Sequence, residues 1–129
     1  MDTRYGISDT DWDKMKDIIR PILIREAKNG SMISYSNLAQ ELWNAFPSMK
    51  LEANSHALAD MLGEISMDES DVGHGMLSVV VINEAESRPG DGFFKLARKE
   101  CGYGEDVEND EIFSQETKKV FSYWQSQAK

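Results

Sequence analysis

The sequence predicts an α+β fold that is mostly helical: three or four helices around a short β-hairpin, closed by a C-terminal helix. Three observations predict it. Apolar residues recur at helical spacing in several separate stretches. One β-branched run, Met76 to Ile82, is bounded by glycine and polar residues as a strand would be. Turn-forming groups at Asn29-Gly30, Gly73-His74-Gly75 and Arg88-Pro89-Gly90-Asp91 divide these stretches. At 129 residues the chain is expected to be a single domain over 1–129, with a core over about 8–100 and a C-terminal helix over about 110–127.

Each element follows from local chemistry. Ser8 or Asp9 caps a first helix, whose first turn is favoured by Asp11 and Asp13. Trp12, Met15, Ile18, Ile19, Leu23 and Ala27 make one apolar face. Pro21 is expected to kink or divide this helix, because it removes a hydrogen bond to the preceding turn. Ser34 caps a second helix that runs to about Phe46, with Tyr35, Leu38, Ala39, Leu42 and Trp43 as its stripe and Pro47 marking its end. A third helix starts near Asn54 or Ser55 and continues toward Glu69 on Ala57, Leu58, Met61, Leu62 and Ile65, with Gly63 inside it. Residues 92–98 begin as a short strand or directly as a helix, ended by Gly102. The glycine-rich, acidic stretch 102–110 is expected to be a mobile loop. The last helix carries Ile112, Phe113, Val120, Phe121 and Trp124. Trp12, Trp43 and Trp124 all sit at apolar spacing and are expected in the core, Trp124 alternatively as an interface anchor.

Charge is distributed unevenly. The formal net charge is −9, yet residues 1–50 balance at seven acids and seven bases. Between Lys50 and Arg88 there is no lysine or arginine, and eight acids fall in that interval. Such a surface is a solvated face or one that steers a basic partner. The single cysteine, Cys101, excludes an intrachain disulfide and fits a reducing compartment. The Met-Asp-Thr-Arg-Tyr-Gly start holds no apolar signal segment, and no apolar run approaches membrane-spanning length. A cytoplasmic protein without membrane contact is expected.

Two resemblances add to this reading. Ile33-Ser34-Tyr35-Ser36-Asn37-Leu38-Ala39, Ala57-Leu58 with Leu62-Gly63, and Ser78-Val79-Val80-Val81 together resemble the second helix, third helix and following strand of alkyltransferase-like winged helices, over residues 31–83. That family's reactive Pro-Cys-His-Arg segment is replaced here by Met76-Leu77-Ser78-Val79, so the resemblance implies a winged-helix-like layout without alkyl-transfer chemistry. Leu62-Gly63-Glu64-Ile65-Ser66, the Met76–Val81 run, Pro89-Gly90-Asp91-Gly92-Phe93-Phe94 and the closing Val120-Phe121-Ser122-Tyr123-Trp124 resemble an uncharacterised bacterial protein family with a Pro-Gly-x-Gly-Phe-Phe motif. That match implies a bacterial source.

No catalytic motif is present, and no cofactor is expected. The Pro89–Gly92 glycines meet neither a Walker nor a dinucleotide spacing; they suit a tight turn into a helix, with backbone N–H groups that can alternatively face an anion. His56, Asp60 and Glu64 share one side of the third helix, but the span of two turns is too long for one metal ion, and a solvated polar face is the better reading. Asp71, Glu84 and Glu86 flank the strand without the lysine that a metal-dependent nuclease would want.

The leading expectation is therefore a non-enzymatic interaction protein whose acidic surface binds a basic protein partner, such as an immunity or antitoxin-type inhibitor of a nuclease toxin. Its contacts would be Glu52, Asp60, Glu64, Asp68, Glu69 and Asp71. The alternative is a winged-helix DNA-binding module in which Asn54, Ser55 and His56 approach base edges and Arg88 touches phosphate. The cations Lys14, Lys16, Arg20, Arg25 and Lys28 on the first helix would add a weak positive patch. A small metal- or anion-dependent enzyme is the third option.

Overall fold

A computed structural model describes residues 3–127, so Met1, Asp2, Ala128 and Lys129, including the start expected to lack a signal segment, lie outside the described residues. The expected α+β, mostly helical fold is observed. Strands β1 (Thr3–Arg4) and β2 (Ile7–Ser8) form an antiparallel hairpin. Its two turn residues, Tyr5 and Gly6, both have positive φ, which matches the twist of a two-residue hairpin. Helix α1 (Asp9–Asn29) follows, then β3 (Ile33–Ser34), α2 (Tyr35–Ala45), α3 (His56–Asp71), a 3₁₀ turn (Leu77–Val80), β4 (Val81–Ile82), α4 (Asp91–Glu100) and α5 (Asn109–Ser126). Ser8, Ser34 and Ser55 each accept a hydrogen bond from the backbone N–H three residues on; Ser34 caps α2 as expected, and of the alternatives Ser8 rather than Asp9 caps α1 and Ser55 rather than Asn54 caps α3.

Pro21 neither ends nor divides α1, which is one helix of 21 residues. The proline is exposed, so the carbonyl deprived of its donor faces water rather than the core.

The largest departure from expectation is Met76–Ile82. Only Val81 and Ile82 are strand; Leu77–Val80 is a 3₁₀ turn. The whole run from Met76 to Val81 is buried in the centre of the molecule, against α1, α3 and α5. An apolar run of this length cannot reveal whether a neighbouring strand exists. Here β3 supplies just two residues, in parallel register Ile33↔Val81 and Ser34↔Ile82. Three N–H groups ahead of the strand are satisfied otherwise. Met76 N–H donates to the Glu116 carboxylate at 2.9 Å, Ser78 N–H donates to Ser66 Oγ at 2.9 Å, and Val79 N–H donates back to the Met76 carbonyl. A wing after α3 is likewise absent from the described residues. Asn83 and Arg88 close a tight loop on one antiparallel bridge, and the hairpin of this fold is β1–β2.

The parallel pairing has a structural consequence. β3 runs directly into α2 and β4 into the loop before α4, so both connections leave the small sheet at the same end. Tyr35, the first residue of α2, thereby meets the Pro-Gly-Asp-Gly turn: Gly90 N–H donates to Tyr35 Oη at 3.0 Å. The turn is explained as the start of α4, with Phe93 and Phe94 buried behind it.

The expected loop 102–110 is tethered at two points. Tyr103 Oη donates to Glu116, and an Arg98 guanidinium N–H donates to the Val107 carbonyl. Of the tryptophans, Trp12 is buried and Trp124 half-buried, but Trp43 is 37% exposed, and Lys50 Nζ lies 4.5 Å from its ring centroid. Its flat ring carries a cation at the surface instead of filling the core. Among the described residues no helix is long and apolar enough to cross a membrane.

Candidate functional site: an acid-rimmed groove along the third helix

An open-sided groove of about 960 Å³ lies beside α3. Its lining on α3 and the preceding turn runs from Ala53 to Asp68, roughly 20 Å at the rise of a helix. Leu62, Met67, Ile82, Phe93 and Leu96 give it an apolar floor. Gly63 lets the floor close: a Cβ there would stand 3.3 Å from Leu96 Cδ2, so α4 packs against the bare backbone of α3. Among the described residues the rim carries four carboxylates, Asp60, Glu64, Asp68 and Glu84, against one lysine, Lys16. Ser34, Tyr35, Ser36, Ser55 and Ser78 add hydroxyls. Burial raises the pKa of Tyr35 above its ordinary value, with the Gly90 N–H pulling the other way, so this hydroxyl stays neutral and can still donate.

Asp60, Glu64 and Asp68 recur every four residues and form a row on one flank of α3. The row is held by the N-terminal part of the chain. Tyr5 Oη donates to Asp60 Oδ2 at 2.7 Å. Trp12 Nε1 and Lys16 Nζ each lie 3.0 Å from Glu64 Oε1. Lys16 Nζ is also 3.9 Å from Asp68 Oδ2, which Arg20 approaches from the other side at 3.3 Å. One turn further along α1, Arg20 also binds Glu69, whose second oxygen lies 2.7 Å from His74 Nδ1. The His74 ring is stacked on Tyr123 with centroids 3.6 Å apart.

The six acids expected on one face have different surroundings. Asp60, Glu64 and Asp68 do line one groove, but all three have partners within the chain. Glu69 points away from it into the Arg20–His74 cluster, and neither Glu52 nor Asp71 lines it. Glu84, from the loop after β4, joins the rim instead.

The residues of the DNA alternative are scattered. Asn54 and Ser55 reach the groove, where the Ser55 hydroxyl is spent on the α3 cap; His56 and Arg88 do not line it. The Arg88 guanidinium binds Asp110 at 2.7 Å, reaches Glu86 at 3.6 Å and lies over the Phe94 ring. Asp110 raises its pKa further, holding it cationic and paired. Among the described residues, four of the five first-helix cations, all but Lys28, are likewise engaged within the chain. Lys16 and Arg20 serve α3, Arg25 makes a two-pronged pair with Glu41 and a contact to Glu26, and Lys14 sits over the Phe46 ring. A phosphate approaching the start of α3 would next meet Asp60 and Glu64.

Sequence reasoning nominated Asp60, Glu64 and Asp68 from the charge asymmetry of the chain, and by helical spacing put Asp60 and Glu64 on one side of the third helix with His56, but the row with Asp68 went unnoticed. It missed the cations opposite, because pairing α1 with α3 is a tertiary event. It also missed the floor, since Ile82, Phe93 and Leu96 come from two later elements. Comparison of the chain with protein-family models, curated proteins and solved structures finds no match.

Proposed function

We propose that this protein is a non-enzymatic interaction module whose groove holds a basic, amphipathic segment of a protein partner. The observation that carries the reading is the composition of the groove: an apolar floor of Leu62, Met67, Phe93 and Leu96 under a rim on which, among the described residues, carboxylates outnumber cations. An amphipathic helix would lay its apolar side on that floor while its lysines or arginines meet Asp60, Asp68 and Glu84. About 14 residues of helix match the roughly 20 Å of lining along α3. The chain's net charge of −9 would draw such a partner in from a distance and repel polyanions. An immunity or antitoxin-type inhibitor of a basic toxin is one concrete form of this function.

The test is fluorescence anisotropy with three labelled probes: an amphipathic Leu/Lys peptide of about 14 residues, its Leu/Glu counterpart, and a DNA duplex. The Leu/Lys peptide should bind, with affinity falling as salt rises. Reversing two exposed rim acids, Asp60→Lys with Glu84→Lys, should weaken it by about tenfold or more. Equal binding of both peptides, preference for the duplex, or unchanged affinity in the reversed variant would overturn the reading.

A further inference from the structure

Among the described residues, Lys16 is the one cation lining the groove. Its ammonium lies between Glu64 and Asp68, and its side chain is only 18% exposed. Both carboxylates have a second donor on the side of α1: the Trp12 indole N–H for Glu64 and the Arg20 guanidinium for Asp68. Those donors would keep the two carboxylates oriented after the ammonium left. Trp12 is fixed by complete burial, and Arg20 is anchored through Glu69. Lys16 itself is a point charge on a flexible four-carbon stem, able to swing toward solvent at little cost.

From this arrangement we propose that Lys16 is a built-in placeholder: its ammonium occupies the position that a lysine of the partner takes between Glu64 and Asp68, and binding exchanges one for the other. The inference rests on the reading of the groove as a site for a basic segment. It adds a specificity device to that reading. The empty protein is not left with an uncompensated acid row, so a single stray cation gains little, whereas a partner that also covers the apolar floor gains enough to displace Lys16. An ion pair this close to water is worth little by itself, which is what an exchangeable pair requires.

The experiment compares Leu/Lys peptide affinity for the wild type, Lys16→Met, Lys16→Gln and Arg25→Met. Arg25 is a matched control. It removes the same unit of charge, but its partners Glu41 and Glu26 lie outside the groove. Removal of Lys16 should tighten binding about three- to fivefold, while Arg25→Met stays close to wild type. Equal tightening in all three variants would reduce the effect to net charge and overturn the proposal, as would no change at Lys16. No binding by the wild type would instead defeat the reading of the groove itself.

A second measurement needs no variant. Acetylation of Lys16 in the wild type, read by mass spectrometry, should speed up when the peptide saturates the groove, because the displaced ammonium becomes exposed. Unchanged or slower acetylation under saturation would contradict the exchange.

Discussion

Two carboxylate clusters in this molecule show how the same functional group takes opposite roles. The row Asp60–Glu64–Asp68 lies at the surface beside an open groove, and its charged partners, Lys16 and Arg20, are long flexible side chains. Glu116 is 1% exposed and lies under the loop before α5. One of its oxygens accepts from Met76 N–H; the other accepts from the Tyr103 hydroxyl and the Lys119 ammonium. It therefore supplies the acceptor that the central 3₁₀ turn lacks, and ties the 102–110 segment to the core. Burial decides between the roles. A buried carboxylate stripped of its donors is costly, so its partners are fixed, while carboxylates near water can change partners cheaply. The first arrangement suits a strut and the second a binding rim.

The sharpest way to break the buried end is Glu116→Ala. It orphans the Met76 N–H and the Tyr103 hydroxyl and leaves a void, so the unfolding free energy should fall by about 3–4 kcal/mol, measured by urea denaturation. A loss below ~1 kcal/mol would mean that the cluster is not a strut. A smaller effect is expected at the groove. Tyr35→Phe removes only the acceptor of Gly90 N–H and should cost about 1 kcal/mol, with faster amide exchange confined to the start of α4.

The smallest effect is the pH dependence of the buried cluster. Burial, and then the neighbouring Glu116 carboxylate, raise the pKa of Tyr103 above its ordinary value. A group whose pKa is raised by folding contributes stability that is complete below its unfolded pKa, near 10, and is lost as pH climbs toward the raised value. The urea midpoint should therefore decline above about pH 10, and Tyr103→Phe should flatten that decline. The same decline in the Phe variant would assign the alkaline sensitivity elsewhere.

Much of the fold was legible in the chain because its signals are local. Ser8, Ser34 and Ser55 announced three helix starts, and Asn29-Gly30 announced an end. The acids of the groove rim were legible through the charge asymmetry, though not as a row. Met76–Ile82 was misread because a buried apolar run has the same composition whether its backbone pairs with a strand or with side chains such as Ser66 and Glu116. Glu116 left no signal, since an acid among the polar residues of an amphipathic helix reads as solvated. The groove was only half legible. Its rim lies on one helix, but its floor is assembled from α3, β4 and α4.

The separation of roles is tested most directly by measuring stability and peptide affinity together on two variants. The combined Asp60→Lys and Glu84→Lys protein should melt within a few degrees of wild type and bind the Leu/Lys peptide about tenfold or more weakly. Glu116→Gln should melt well below wild type yet bind the peptide normally at a temperature where it is folded. A charge-reversed groove that still bound like wild type, or a Glu116 variant that lost binding while folded, would contradict the account.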